Sequence, residues 1–174
     1  QTIDVYLEPS GLLGDADQRA GVEHALDELC AALGDAPAVP CHRDLMARNL
    51  IPSADGRLVV IDHQDLRLGP RGYDLASLLN DSFFPPHDLE ERWCESRLSS
   101  PDARLDYHRA ASQRTLKAIG TFAAFAARGV DRHLPLIPPT LARALHHLAR
   151  APETAPLAPL LEDLWGEAAL AARD

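Results

Sequence analysis

The sequence predicts a mainly helical α+β domain that carries one small β-hairpin. Apolar residues at helical spacing run through most of the chain, whereas short β-rich runs cluster around residues 50–61. The chain has 174 residues, of which 46% are hydrophobic, which is enough for one domain with a sizeable core. We therefore expect residues 1–174 to form a single unit.

The helices are predicted from apolar periodicity and from signals at their ends. Asp15 and Gln18 resemble a capping box at the start of a helix over residues 17–33. Pro101 suits the first turn of a long helix that ends near Gly129. Further helices are predicted at residues 73–79, 88–98, 139–150 and 157–172. Pro37 and Pro40 predict an extended segment before residue 42.

The hairpin is predicted from two β-rich runs that flank a glycine-containing turn. Leu50-Ile51 and residues 58–61 are the two runs, and Gly56 can supply the positive φ that such a turn often needs. Asn49 precedes the first strand and Asp62 ends the second. We therefore expect Asn49 and Asp62 to lie close together, although they are far apart in sequence.

Composition excludes several classes of function. The formal net charge is -9, which argues against a basic surface for nucleic acid or anionic lipid. No apolar run approaches the roughly 18 residues that a membrane span needs. The three cysteines are scattered, with neither metal-site spacing nor a disulfide framework, so we expect a protein of the reducing cytoplasm: Cys30, Cys41 and Cys94.

Three side chains form a constellation that is typical of phosphoryl transfer. An aspartate followed five residues later by an asparagine, and then an aspartate at the end of a strand, is the order found in kinase-like enzymes. Asp44 would accept the proton of the acceptor hydroxyl, and Asn49 and Asp62 would supply the oxygen ligands that Mg²⁺ prefers. We predict Asp44 as the catalytic base and Asn49 and Asp62 as metal ligands.

Parts of a complete kinase are missing from this sequence. It contains neither a glycine-rich phosphate loop nor a strand-borne lysine, and its one lysine is Lys117. We therefore expect that the N-terminal nucleotide-covering lobe is absent from this chain. The chain by itself is predicted to be inactive until that lobe joins it.

Residues 41–80 resemble the catalytic region of the aminoglycoside phosphotransferase and choline kinase superfamily. The resemblance rests on four motifs in order: His42-Arg43-Asp44 with Asn49, Ile61-Asp62, Gly69-Pro70, and Asp74-Leu75-Ala76. Within this superfamily, the sequence at residues 42–50, 60–65 and 68–79 most resembles the anomeric kinases of cell-wall recycling, which phosphorylate N-acetylmuramate and N-acetylglucosamine. His63 departs from their pattern, which typically has phenylalanine there.

The resemblance implies the C-terminal lobe of a protein-kinase-like fold, with ATP and Mg²⁺ as cofactors and an amino sugar as the small-molecule acceptor. An aminoglycoside, choline or another small molecule is the alternative acceptor, and a non-catalytic binding lobe is the alternative class of protein. A metal-dependent hydrolase is a third option, since the same acidic cluster can bind metal without ATP. Against a protein kinase, only twelve positions separate Asp62 from Asp74, too few for a peptide-binding activation loop.

Neighbouring side chains are predicted to support the site or to contact substrate. His42 is expected to hydrogen-bond the backbone near Asp62, and Asp74 to brace the catalytic loop by accepting backbone N–H groups. Solvated or salt-bridged roles remain open for the residues that we place near substrate or phosphate: Arg43, Arg48, Gln64 and Asp65. The pair His146-His147 is expected on a helix surface, without the carboxylate spacing of a zinc site.

Overall fold

A computed structural model describes residues 16–162. These residues form five α-helices, a further helical segment at residues 157–162, and four short strands. The elements in chain order are α1 (Ala16–Asp35), β1 (Ala38–Cys41), β2 (Leu50–Pro52), β3 (Leu58–Val60), β4 (Arg67–Pro70), α2 (Tyr73–Leu79), α3 (His87–Arg97), α4 (Pro101–Ala126) and α5 (Ile137–Leu148). Short 3-10 helices lie at Ala47–Asn49 and Asp131–Leu136. The prediction of a mainly helical α+β fold is confirmed.

The predicted helix boundaries agree with the structure to within a few residues. Residues 157–162 are helical, and the remainder of the helix predicted to end at residue 172 lies outside the described residues. Within residues 16–162, no helix is long and apolar enough to cross a membrane.

Two antiparallel ribbons frame the segment between α1 and α2. The hairpin predicted from the sequence is present, with Leu50 of β2 opposite Val60 of β3. A second ribbon pairs β1 with β4, with Cys41 opposite Arg67. The sequence predicted an extended segment at β1 but not its partner, because 25 residues separate the two strands and no turn signal links them.

Helix α4 is the central element of the core. Its N-cap is Ser100, whose hydroxyl accepts a hydrogen bond from the Ala103 backbone N–H at 3.1 Å, with Pro101 at the first helical position. One buried cluster joins α4 to α1 and α5 around Ile119 and Leu141. A second cluster joins α4 to α1 and α2 around Leu29 and Tyr107. Burial of such large side chains stabilises the fold by about 2 kcal/mol each.

Gly72 permits the close approach of α2 to α4. It caps α2 with a φ of 87°, in the left-handed region that favours glycine. A Cβ at this position would lie 3.1 Å from the Cα of Tyr107. Any larger residue would therefore push α2, which carries Asp74, away from the core.

A buried polar cluster surrounds Glu90, and it corrects the expectation for His147. Glu90 accepts hydrogen bonds from Arg143 Nη1 and from the Tyr107 hydroxyl, both at 2.6 Å. His147 is fully buried beside it, with Nε2 2.9 Å from Asn80 Oδ1 and Nδ1 3.1 Å from His108 Nδ1. The prediction of a surface position was wrong for His147 because helix α5 turns this side chain toward α4.

Burial holds these histidines in the neutral form. Desolvation, reinforced by the positive charge of Arg150, lowers the pKa of His108 to about 4 and that of His146 to about 3. Desolvation also lowers the pKa of His147 well below its usual value, with a smaller contribution from neighbouring His146. The 3.3 Å approach of His147 Nε2 to Glu90 does not reverse this, since Arg143 already compensates the Glu90 charge.

We predict that the free energy of unfolding falls as the pH drops below about 6.5. The histidine pKa values are lower in the folded state than in the unfolded chain, so below about pH 6.5 the unfolded state binds more protons. The stability that these neutral histidines contribute is therefore fully present above about pH 6.5 and is lost as the pH falls. Urea unfolding at a series of pH values between about 7.5 and 4.5 measures the effect.

The matched variants for this prediction are His108→Gln and His24→Gln. His108→Gln should lose less stability between pH 7 and pH 5 than the wild type, because it removes one of the buried titrating groups. His24 lies exposed on α1, so His24→Gln should keep the wild-type pH dependence. Identical pH profiles for all three proteins would contradict the buried cluster as the source.

Candidate active site

The carboxylate of Asp74 holds the backbone of the loop that carries Asp44. Its Oδ2 accepts the backbone N–H of His42 at 2.7 Å, and its Oδ1 accepts that of Arg43 at 2.8 Å. Hydrogen bonds from neutral donors to a carboxylate are stronger than those between neutral groups. One side chain on α2 thus fixes two consecutive peptide groups that lie just before Asp44.

His42 and Asn49 join this loop to the hairpin. His42 is buried, and its Nε2 lies 2.8 Å from the backbone oxygen of Ile61, so this nitrogen carries the proton and donates it to the carbonyl. The backbone N–H of Ile61 in turn donates to the Asn49 carbonyl at 3.0 Å. The backbone next to Asp62 is therefore held from both sides, by His42 and by Asn49.

Asn49 is oriented with its amide oxygen free. It is buried, and its Nδ2 donates to the backbone oxygen of Asp44 at 2.8 Å. This bond ties the two ends of the Asp44–Asn49 segment together. It also leaves Asn49 Oδ1 available, since that oxygen has no hydrogen-bond partner among the described residues.

Asp44 is half-buried and lies beside a guanidinium group that the sequence analysis did not identify. Arg114, on α4, directs Nη1 to the backbone oxygen of Arg43 at 3.1 Å and approaches Asp44 Oδ1 at 3.5 Å. The Arg114 guanidinium also lies 5.7 Å from the centre of the Tyr73 ring. Arg114 therefore steadies the same peptide that Asp74 binds and faces the Asp44 carboxylate.

Asp62 is exposed at the end of the hairpin, where a ligand can reach it. Gln64 Nε2 donates to Asp62 Oδ1 at 2.7 Å, which leaves the second carboxylate oxygen without a protein partner in the described part of the chain. Gln64 thus contacts the predicted metal ligand itself and orients its carboxylate.

Two residues of the site have left-handed backbones. Arg43 has a φ of 72° and Asp62 a φ of 69°, a region that costs non-glycine residues free energy. Such strain persists where surrounding hydrogen bonds determine the geometry, as those of Asp74, His42 and Asn49 do here. It is concentrated at functional sites more often than elsewhere.

Two predicted residues lie at the edge of this arrangement. Arg48 is exposed on the 3-10 helix before β2, and no hydrogen bond or ion pair joins it to another residue between positions 16 and 162. Asp65 is also exposed, with its Oδ1 3.8 Å from Arg67 Nη2. The structure does not bring either side chain into the network around Asp44.

Asp81 is a second loop brace that the sequence did not reveal. It is buried at the end of α2, and its Oδ2 accepts the backbone N–H of Ala47 at 3.0 Å. Its other oxygen accepts the N–H of Ser82 at 2.7 Å. No motif marks Asp81, although its place two residues after the predicted helix of Asp74 could have indicated a similar role.

The free oxygens of Asn49 and Asp62 fit a magnesium site. One amide oxygen and one carboxylate are hard ligands, and Mg²⁺ keeps several waters beside them. A second group of possible ligands lies elsewhere, where atoms of His87, Glu90 and His146 are within 4.8 Å of one another. There Arg143 already binds the same Glu90 oxygen, and its positive charge opposes a cation.

The sequence matches the family described as phosphotransferase enzymes over residues 4–98. The chain belongs to this phosphotransferase enzyme family. The matched region contains the whole loop from His42 to Asp62 and the helix of Asp74. The hydrogen bonds that Asp74, His42 and Asn49 make therefore lie inside the family region, whereas Arg114 lies beyond it.

Curated relatives of this chain are kinases by name. A protein of Neisseria meningitidis called N-acetylmuramate/N-acetylglucosamine kinase is 37% identical over 168 residues, covering 86% of this chain and 49% of its own length. Proteins of the same name from Pseudomonas putida and Pseudomonas aeruginosa are each 34% identical, over 74% and 79% of this chain and over 42% and 45% of their own lengths. The chain spans about half the length of the curated relatives it matches.

We predict that Asp74→Ala destabilises the fold by about 2 to 4 kcal/mol, because two backbone N–H groups lose a charged acceptor. Urea unfolding at neutral pH measures the change. Asp27→Ala, at an exposed position of α1, is the control for loss of a carboxylate and should have little effect. Equal stabilities for the two variants would contradict the bracing role of Asp74.

Proposed function

We propose that the chain is the catalytic and acceptor-binding lobe of an ATP-dependent kinase that phosphorylates a hydroxyl of an amino sugar. The observation that supports the proposal is the hydrogen-bond network around Asp44, Asn49 and Asp62. Asp74 accepts the His42 backbone N–H, His42 Nε2 binds the Ile61 carbonyl next to Asp62, and Asn49 Nδ2 donates to the Asp44 carbonyl. Family membership supports phosphotransfer as the reaction class. The names of the curated relatives support N-acetylmuramate and N-acetylglucosamine as acceptors.

In the proposed reaction, the chain positions the acceptor and removes its proton. The Asp44 carboxylate accepts a hydrogen bond from the attacking hydroxyl and takes its proton as the oxygen bonds to phosphorus. Arg114 limits the movement of Asp44 from one side. Magnesium, held by Asn49 Oδ1 and Asp62, would neutralise charge on the phosphates of ATP.

The second half of the kinase is proposed to cover the hairpin. Large apolar side chains are exposed on β3 and β4, including Leu58 at 64% and Leu68 at 74%. An apolar surface of this kind next to the proposed phosphate site suits both the adenine ring and an N-terminal lobe. The chain spans about half the length of its relatives, so the remaining half of a full-length protein is the proposed partner, and this lobe alone is proposed to be inactive.

The proposed location is the cytoplasm. ATP is available there, and the described cysteines are free thiols rather than disulfides. The acidic net charge of -9 supports a partner that is a small molecule rather than a nucleic acid.

We predict that the full-length enzyme phosphorylates N-acetylated amino sugars and that Asp44→Asn lowers kcat by roughly a factor of 10²–10⁴, the usual contribution of a general base. A coupled assay with ATP and Mg²⁺, run on amino sugars, aminoglycosides and choline, measures acceptor choice and rate. Asp27→Asn is the matched control and should retain full activity. A kcat of Asp44→Asn close to the wild-type value would exclude Asp44 as the base.

We also predict that Asp62→Asn raises the Mg²⁺ concentration needed for half-maximal activity by about tenfold or more, because a charged ligand is replaced by a neutral one. The measurement is a Mg²⁺ titration at saturating ATP and acceptor. The free-energy change on unfolding should stay near the wild-type value, since Asp62 is exposed. An unchanged Mg²⁺ requirement would remove Asp62 from the metal site.

A further inference from the structure

A pocket of about 400 Å³ opens between α1, the β1–β4 ribbon, α2 and α4. We call it the arginine pocket, because Arg43 and Arg67 are among the residues that line it. The remaining lining is uncharged and comes from Cys30, Leu33, Cys41, Leu68, Gly69, Pro70, Tyr73 and Gln113. None of these described lining residues carries a carboxylate, although Asp65 and Asp74 lie near Arg67 and Cys41.

Arg43 has no direct side-chain partner among residues 16–162, although the Asp74 carboxylate accepts its backbone N–H. Its side chain is half-buried, and within residues 16–162 its guanidinium makes no hydrogen bond or ion pair. Its backbone is held firmly, by Asp74 at the N–H and by Arg114 at the carbonyl. A partly buried guanidinium without a partner loses hydration without a compensating bond. A bound anion would supply that bond.

Two further groups make the pocket suitable for an oxyanion. Arg67 is 68% exposed, and its only nearby carboxylate in the described chain is Asp65, at 3.8 Å, so most of its hydrogen-bonding groups remain available. Gln113 has a buried Oε1 atom without a hydrogen-bond partner. Whichever way its amide is oriented, a polar atom of Gln113 lacks a partner next to the pocket.

We propose that the arginine pocket binds a small oxyanion through Arg43 and Arg67. A planar guanidinium pairs with a carboxylate or a phosphate through two parallel hydrogen bonds, which fits either anion. One source is the carboxylate of an acidic acceptor, and the other is free phosphate.

The carboxylate of the acceptor sugar is one candidate for the bound anion, because the pocket residue Arg43 is next to Asp44 in the chain. Arg43 immediately precedes Asp44, and Arg114 contacts both residues. N-Acetylmuramate carries a lactyl carboxylate, whereas N-acetylglucosamine has none, so the pocket would favour the first sugar over the second. This source rests on the proposed function, whereas the phosphate source does not.

The test compares Arg67→Gln and Arg43→Gln with Arg92→Gln in the full-length protein. Arg67→Gln is expected to fold because the side chain is largely exposed. Arg92 lies on the outer face of α3 and pairs with Asp88, so Arg92→Gln controls for the loss of one positive charge. Each protein is assayed for KM with N-acetylmuramate and with N-acetylglucosamine, and for the rise in Tm caused by inorganic phosphate.

The two sources give different results. If the acceptor's carboxylate is the anion, KM for N-acetylmuramate rises about tenfold relative to KM for N-acetylglucosamine in the Arg67 and Arg43 variants. In Arg67→Gln, KM for N-acetylglucosamine itself stays unchanged. If free phosphate is the anion, the ratio of the two KM values is unchanged and the phosphate-induced rise in Tm is lost.

The proposal is overturned if both the ratio of KM values and the phosphate response match those of Arg92→Gln. Failure of the wild-type protein to phosphorylate either sugar would contradict the proposed function instead. The phosphate measurement would then still decide whether the arginine pocket binds an anion.

Discussion

The structure depends on the carboxylate of Asp74, which binds the backbone of His42 and Arg43 from a helix more than 30 residues further along the chain. Helix α2 can deliver this carboxylate only because Gly72 lets it approach α4 closely. The long helix α4, whose burial organises the core, thereby determines where the Asp44 loop lies. Core packing and site geometry are linked through this one side chain.

Further hydrogen bonds join the Asp44 loop to the β2–β3 hairpin. His42 binds the Ile61 carbonyl, and Ile61 binds the Asn49 carbonyl, so loop and hairpin hold each other. The left-handed backbones of Arg43 and Asp62 lie at either end of this network. The surrounding bonds offset their strain, and Asp62 is exposed to solvent.

The sequence predicted those helices, turns and motifs whose signals lie within a short stretch of the chain. The periodicity of α1 and α4, the turn at Gly56 and the order of Asp44, Asn49 and Asp62 all lie within short stretches. Arg114 and Asp81 could not be predicted, because their roles arise from tertiary contacts with residues that no motif links to them. His147 was misplaced for the same reason, since Glu90, Asn80 and His108 make its burial favourable.

We propose that the loop held by Asp74 and His42 positions Asn49 and Asp62 as the ligands of one magnesium ion beside Asp44. The most direct test is a crystal structure of the full-length protein with Mn²⁺ and a non-hydrolysable ATP analogue, in which anomalous scattering locates the metal. We predict an anomalous peak for Mn²⁺ at bonding distance from Asn49 Oδ1 and the Asp62 carboxylate. A metal bound elsewhere, with those two side chains free, would contradict it.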